Sequence, residues 1–190
     1  MARSKSDDKR EAILAAAISV FAEGGLSAPT SAISKAARIA EGTLFTYFPT
    51  KDDLLNALYR QMKLELAEVL MSGFTRKRDV RAKLQYIWDA FVNWGIANPE
   101  PRKVLAQLAV SDKLTKETKA VGAAPFAELE VMGSEAIAQG TIRDFPLEFL
   151  VAMMDAMTQA TIALISANPS KATRYRTLGF EAFWNGLKKS

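Results

Sequence analysis

The stretch EGTLFTYFPTKDDLL, residues 41–55, decides the fold. It gathers Leu44, Phe45, Tyr47 and Phe48 within a few residues, stops at Pro49 and restarts on Thr50. Proline cannot continue a helix. Thr50-Lys51-Asp52-Asp53 has the form of a capping box, in which Thr50 accepts from the amide of Asp53 and the Asp53 carboxylate reaches back. The segment therefore reads as a short aromatic helix over about 41–48. A long helix follows from Lys51 to about Met71, with Leu55, Leu58, Tyr59, Met62, Leu66 and Val69 along one stripe.

Upstream, Ile13, Ala17, Val20 and Phe21 recur at helical spacing, with Asp7 and Asp8 near the start and Gly24-Gly25 at the end. A second, shorter helix is expected over about 29–37, with Ile33 and Ala37 facing inward. Residues 38–40 alone separate it from the aromatic helix. Two short helices across so tight a turn have the geometry of a helix-turn-helix, in which the first braces the DNA backbone and the second enters a major groove. Such turns also occur in plain helical cores, so the spacing by itself leaves both readings open.

Downstream, residues 73–78 read as a short charged linker. About five further helical segments follow. One carries Val80, Leu84, Ile87, Trp88, Phe91 and Trp94 and ends at Asn98-Pro99. The next carries Val104, Leu105 and Leu108. A third, broken near Gly122 and Pro125, carries Phe126, Leu129, Met132 and Ile137 to a stop at Gly140. The last two span about 146–168 and 170–188. Strand-like alternation is absent, so the class is all-α.

Composition narrows the chemistry. The 190 residues include no cysteine and no histidine, which excludes disulfides, thiolate metal sites and Ser-His-Asp or Cys-His catalysis. No cofactor is expected. The net charge of +4 permits an anionic partner without demanding one. Small basic clusters at Arg3/Lys5, Lys9/Arg10, Arg76/Lys77/Arg78 and Lys188/Lys189 read first as solvated faces or termini. The apolar run AILAAAISVFA, residues 12–22, follows Asp7, Asp8 and Glu11, unlike a signal peptide. The run Leu147–Ile165 carries Glu148, Asp155 and Gln159, each costly in hydrocarbon. No membrane partner is expected, and the location is expected to be cytoplasmic.

The last two helices carry more apolar surface than one buried face needs. Leu147, Leu150, Val151, Met154, Met157, Thr161, Leu164 and Ile165 form one stripe, while Phe149, Met153, Ala156, Ala160 and Ala163 cover much of the rest. A central helix of a large core would explain this; pairing with a second copy across a two-fold axis is the preferred explanation. The expected interface residues are Phe149, Met153, Ala156, Ala160, Phe180, Phe183 and Trp184.

The text around the turn sharpens the reading. The run ISKAARIAEGTLFTYFPTKDDLL, residues 33–55, resembles the N-terminal signature of the TetR/AcrR family of bacterial transcriptional regulators. The likeness is close over about Asp7 to Leu66 and architectural beyond it. Gly42, Thr43, Leu44, Phe48 and Lys51 match directly, and Tyr47 stands where histidine or tyrosine is usual. The resemblance implies a three-helix DNA-binding domain over 6–66, with the helix-turn-helix at about 29–48. A long helix joins it to a larger helical effector-binding and dimerisation domain over 67–190. It also implies a homodimer on a pseudo-palindromic duplex DNA operator, released by a small-molecule effector.

On that resemblance, Gly42 lets the backbone approach the duplex, and Thr43 offers its hydroxyl and methyl to phosphate or base edges. Tyr47 places its hydroxyl on a phosphate, and Lys51 holds another at a helix N-terminus. Thr46 faces outward as a reader, while Leu44 and Phe48 anchor the helix. The sequence departs from the pattern in four places. Arg38 stands where the turn usually has glycine, and its guanidinium is positioned to reach a phosphate. Ala40 replaces a capping hydroxyl, and Phe45 replaces tyrosine. Ala28-Pro29 replaces a threonine pair, leaving Ser27, Thr30 or Ser31 to contact the backbone.

The candidate effector pocket comprises Met62, Trp88, Phe91, Trp94, Leu105, Phe126 and Met132. The set has no evident charged anchor, so the expected effector is mainly apolar. Two rival readings stand beside this one. One is a helical interaction module with lost or altered DNA binding, suggested by Arg38 and Ala40. The other is an all-α enzyme using carboxylates such as Asp155 and Glu181, which nothing pairs at a catalytic spacing; no enzyme is expected.

Overall fold

A computed structural model of the chain describes residues 5–76 and 79–189, Lys5 by its backbone alone. Among these residues the helices are α1 (Lys5–Gly24), α2 (Thr30–Ala36), α3 (Glu41–Tyr47), α4 (Lys51–Met71), α5 (Val80–Ala97), α6 (Pro99–Ala109), α7 (Lys116–Ala123), α8 (Ala127–Ala138), α9 (Leu147–Ala167) and α10 (Ala172–Leu187). Short 3-10 turns lie at Phe74–Arg76, Ala124–Phe126 and Pro169–Lys171. An isolated bridge joins Ile142 to Lys188, and no strand occurs among the described residues. The class is all-α, as the periodicity requires.

The chain divides into two compact units. The first holds the described residues through Leu64 together with Asn98–Ala123. Ile13, Leu14, Ala17 and Phe21 of α1, Ile33 of α2 and Leu44 of α3 share its core with Leu54, Leu55, Leu58 and Met62 of α4. Val104 and Leu108 of α6 and Leu114 complete that core. The expected boundary at 66/67 falls close to Leu64, but the contribution of 98–123 has no counterpart in that division. Asn56 shows what draws this segment in. Its amide donates to the carbonyl of Lys113 at 2.9 Å, its oxygen accepts from the Thr115 amide at 3.0 Å, and the residue is buried. Arg60 adds a bond to the Thr118 hydroxyl at 2.7 Å.

The second unit holds Glu65–Ala97 and the residues from Ala124 onward. Its core joins Trp88 and Val92 of α5, Ala136 of α8, Ile162 and Ile165 of α9, and Phe180, Phe183 and Leu187 of α10. Trp88 stacks on Phe183 with ring centroids 5.8 Å apart and meets the Phe180 ring edge at 6.1 Å. Gly179 permits this packing: a Cβ there would lie 2.5 Å from Thr161 Oγ1 and 2.7 Å from Trp88 Cζ2.

Three expectations need correction here. Phe180 and Phe183 are not interface residues, because their rings are 2% exposed within their own unit. The stripe on α4 does not include Val69, which is 43% exposed. Residues 73–76 are not plain linker: Phe74 is buried, with the Lys83 ammonium 5.0 Å from its ring centre. Lys77 and Arg78, the rest of that expected linker, lie outside the described residues, as do Arg3 and the Lys5 side chain of the N-terminal basic cluster.

Candidate nucleic-acid interface

Helix α2 closes in a Schellman motif that sets the turn before α3. The Ile39 amide reaches the Ser34 carbonyl at 3.0 Å, and the Arg38 amide reaches the Lys35 carbonyl at 3.2 Å. These two bonds require a left-handed residue between them, and Arg38 supplies it at φ 55, the one non-glycine residue with positive φ among those described. Ile39 then turns back onto the core. Helix α3 starts at Glu41 without a side-chain cap, since Ala40 carries no hydroxyl. Pro49 ends the element, and the expected capping box opens α4: the Asp53 amide donates to Thr50 Oγ1 at 3.1 Å, and the Thr50 amide donates to Asp53 Oδ2 at 3.0 Å.

The orientation of α3 follows from its two anchors. Leu44 is fully buried and Phe48 is 3% exposed, with the Arg10 guanidinium 5.6 Å from the Phe48 ring centre. Fixing those side chains inward turns Gly42, Phe45 and Thr46 outward, with Thr43 and Tyr47 at the flanks. Ser31 and Arg38 are exposed, and Thr30 is half-buried. The turn thus brings Thr30, Ser31, Arg38, Gly42, Thr43, Phe45, Thr46 and Tyr47 onto neighbouring elements of one unit. Phe45 is 41% exposed, an aromatic ring in water that this unit's own core does not use.

Several of their polar groups already have partners. The Thr46 hydroxyl donates to the Gly42 carbonyl at 3.0 Å, so its outward-facing group is the methyl. The Ser6 hydroxyl donates weakly to Tyr47 at 3.4 Å. Lys51 turns inward: its Nζ donates to the Ala28 carbonyl at 2.7 Å and stands 5.7 Å from the Phe21 ring centre. Burial pushes its pKa below the ordinary lysine value, against the opposing pull of Asp52. Lys51 thus fastens the segment before α2 to the start of α4. The Thr30 hydroxyl donates to Glu41 Oε1 at 3.0 Å. Sequence reasoning missed Glu41, because a partner on the far side of a turn has no local spacing signal.

Gly42 is informative for what surrounds it. A Cβ built there meets no atom within 4 Å. Neither packing nor positive φ requires glycine at this helical position, and glycine weakens a helix by about 0.8–1.0 kcal/mol relative to alanine. The residue suits a surface that something must approach closely.

The expected pocket residues do not gather. Met62 and Leu105 belong to the first unit's core, and Trp88 and Phe91 to the second's. The Trp94 ring tilts against Phe91 at 5.8 Å, while Met132 is buried and Phe126 half-buried in the second unit. The Trp88 indole N–H is buried without a hydrogen-bond partner. A cleft of about 220 Å³ opens between α5 and α10, lined by Gln85, Asp89, Thr173, Arg176, Thr177 and Phe180. None of the expected pocket residues lines it. Burial raises the Asp89 pKa above the ordinary carboxylate value, against the opposing effect of Arg176.

Of the expected interface residues, Phe149 is 48% exposed, and Ala156 and Ala160 are also exposed; Met153 and Trp184 are half-buried. Val151, Leu164 and Leu178 add exposed apolar surface on α9 and α10. Leu147–Ala167 is the one helix among the described residues long and apolar enough to cross a membrane. Its Leu150, Thr158, Thr161, Ile162 and Ile165 are buried in the unit.

Residues 13–58 match the family model for bacterial regulatory proteins, tetR family. Among curated proteins, the fatty acid metabolism regulator protein of Bacillus subtilis (strain 168) is 32% identical over 76 residues, which is 40% of this chain and 39% of that protein. The match thus spans well under half of that relative's length. A TetR family transcription regulator from Marinobacter aquaeolei VT8 has the same fold with a TM-score of 0.87, at 23% identity over 98% of both chains. The transcriptional regulator FadR from Bacillus subtilis, solved in complex with stearoyl-CoA, matches with a TM-score of 0.71, at 20% identity over 93% of this chain and 98% of its own. The fold is that of these solved structures, and the likeness to the tetR family model lies in residues 13–58.

Proposed function

We propose that this TetR-type regulator binds duplex DNA through α2 and α3 as a homodimer and acts as a repressor released by a small apolar effector. The observation that carries the reading is the outward face of α3. Leu44 and Phe48 fix the helix, while Gly42 leaves open space and Phe45 and the Thr46 methyl stand in solvent. Such a surface suits a major groove, where a close backbone and small apolar groups meet base edges and thymine methyls. Among DNA-facing candidates, Arg38 offers a free-standing charge to phosphate, whereas Lys51 first serves the Ala28 carbonyl.

A dimer would present two such helices about 34–36 Å apart, the spacing of successive major grooves. Its interface is drawn from Phe149, Met153, Ala156, Ala160 and Trp184 with Val151, Leu164 and Leu178, a set from which Phe180 and Phe183 are excluded. We assign the DNA-binding role to 6–66 and the effector and dimer roles to 67–190, with 98–123 contributing to the core of the reading head. The effector acts by preferring one arrangement of the heads over another, and shifts the population by no more than that difference in affinity. A fatty-acyl compound is the favoured ligand class; Trp88, Phe91 and Met132 are packed in the second unit and do not line the cleft between α5 and α10. The regulatory subject of the curated relative favours that ligand class. Action on DNA implies a cytoplasmic location.

Fluorescence anisotropy with duplexes tiled across the DNA flanking the protein's own gene tests the core of this reading. One duplex should bind far more tightly than the rest, with an affinity that falls as salt rises. Equal binding to every duplex, or none, defeats it. Light scattering tests the dimer, and thermal shift with long-chain acyl thioesters against free short acids tests the effector class.

A further inference from the structure

The Thr30–Glu41 hydrogen bond places a carboxylate where phosphates are expected to come. From Thr30 to Tyr47 the charged residues are Lys35, Arg38 and Glu41, so one acid opposes two cations on the DNA-facing elements. All three are exposed. A free surface glutamate could swing away from an approaching phosphate. Here Thr30 Oγ1 holds Glu41 Oε1 at 3.0 Å, joining α2 to α3 across the turn.

This charge does not weigh equally on all DNA. Binding to arbitrary duplex rests almost wholly on phosphate attraction. Binding to a preferred site adds base-edge contacts that a carboxylate does not oppose, and it can accept from a cytosine amino group. A held negative charge therefore subtracts a larger share from the arbitrary complex.

Resting on the DNA-binding reading above, we propose that Glu41, held by Thr30, is a specificity-determining residue that suppresses binding to arbitrary duplex. A purely local role, in which the carboxylate favours the first turn of α3 as an uncapped helix allows, would change stability and leave discrimination untouched.

The test compares the unmodified protein with E41Q and T30V. Two probes are used: one fixed 30-base-pair duplex of arbitrary sequence, and a duplex selected from a randomised pool by the unmodified protein. E41Q keeps an oxygen for the Thr30 hydroxyl and removes the charge. A unit charge about 7 Å from a phosphate in water changes affinity about threefold per head, hence about tenfold for a dimer. E41Q should tighten binding to the arbitrary duplex by about that factor and steepen its salt dependence. The selected duplex should change less, so the ratio between the two falls. T30V keeps the charge and frees it to move, and should give a smaller change in the same direction. Thermal melting should stay the same in E41Q. The proposal is overturned if E41Q leaves arbitrary-duplex affinity and salt slope unchanged, or shifts both duplexes equally. If the unmodified protein binds neither the pool nor the fixed duplex, the DNA-binding reading falls and this proposal falls with it.

Discussion

Replacing Arg38 by glycine should stabilise the protein while weakening its hold on DNA, and comparison with R38A separates the two effects. Arg38 sits at φ 55, imposed by the paired bonds of Ile39 to Ser34 and of Arg38 to Lys35. A side chain in that region costs about 1–2 kcal/mol. Glycine removes this strain but adds freedom to the unfolded chain, worth about 0.5–1 kcal/mol in the opposite sense. The net gain is about 0.5–1 kcal/mol, or a rise of about 1–4 °C in Tm for a chain of this size. Alanine keeps the Cβ and hence the strain, so R38A should melt at or slightly below the unmodified protein. Both variants lose the guanidinium, and both should lower the slope of log affinity against log salt by about 0.9 per head. Differential scanning calorimetry and salt-titrated anisotropy read the two arms. Equal Tm for R38G and R38A would refute the strain argument, and an unchanged salt slope in both would remove Arg38 from the interface.

G42A should also separate folding from binding: with open space around the new methyl, denaturant melts should show a gain of about 0.5–1 kcal/mol, while DNA affinity falls at least tenfold. K51M should lose about 1–2 kcal/mol of stability by the same measurement, because the Ala28 carbonyl loses a charged donor; a variant as stable as the unmodified protein would return Lys51 to a purely DNA-facing role. D89N should raise Tm at neutral pH. The folded state holds the Asp89 pKa above its ordinary value of 3.8, so the ionised form subtracts stability above the folded value. That loss is relieved as pH falls through it. The advantage of D89N should therefore shrink on acidification and vanish below the ordinary carboxylate value; an advantage constant across that range contradicts the burial argument.

Much of this was legible in the sequence because the relevant signals are local. Pro49 and the Thr50–Asp53 box act within a few residues, and they mark the α3–α4 junction where the structure has it. The breaks at Gly122 and Pro125 likewise appear as the end of α7 and a 3-10 turn. Signals failed where a partner is far along the chain. Nothing near Asn56 announces that it binds Lys113 and Thr115, so the sequence reading left 98–123 outside the first unit. Phe180 and Phe183 look like surplus aromatic surface until Trp88 is placed against them.

The candidate interface shows the same division in its chemistry. Helical period and anchor residues fix which side chains turn outward, while the resemblance to TetR/AcrR regulators, not spacing alone, singles out Gly42, Phe45 and Thr46 as DNA-facing. What each outward group can offer depends on its partners, which spacing does not reveal. Thr46 keeps its hydroxyl for the Gly42 carbonyl, Thr30 gives its own to Glu41, and Lys51 turns to Ala28. Each of these bonds withdraws a polar group from the inventory a motif would assign to DNA. The face that remains is therefore less cationic and more shape-dependent than the motif implies. Its selectivity must then rest on close approach at Gly42 and apolar contact at Phe45 and Thr46 more than on phosphate attraction, and a shallow salt slope for a tightly bound site is the signature of that balance.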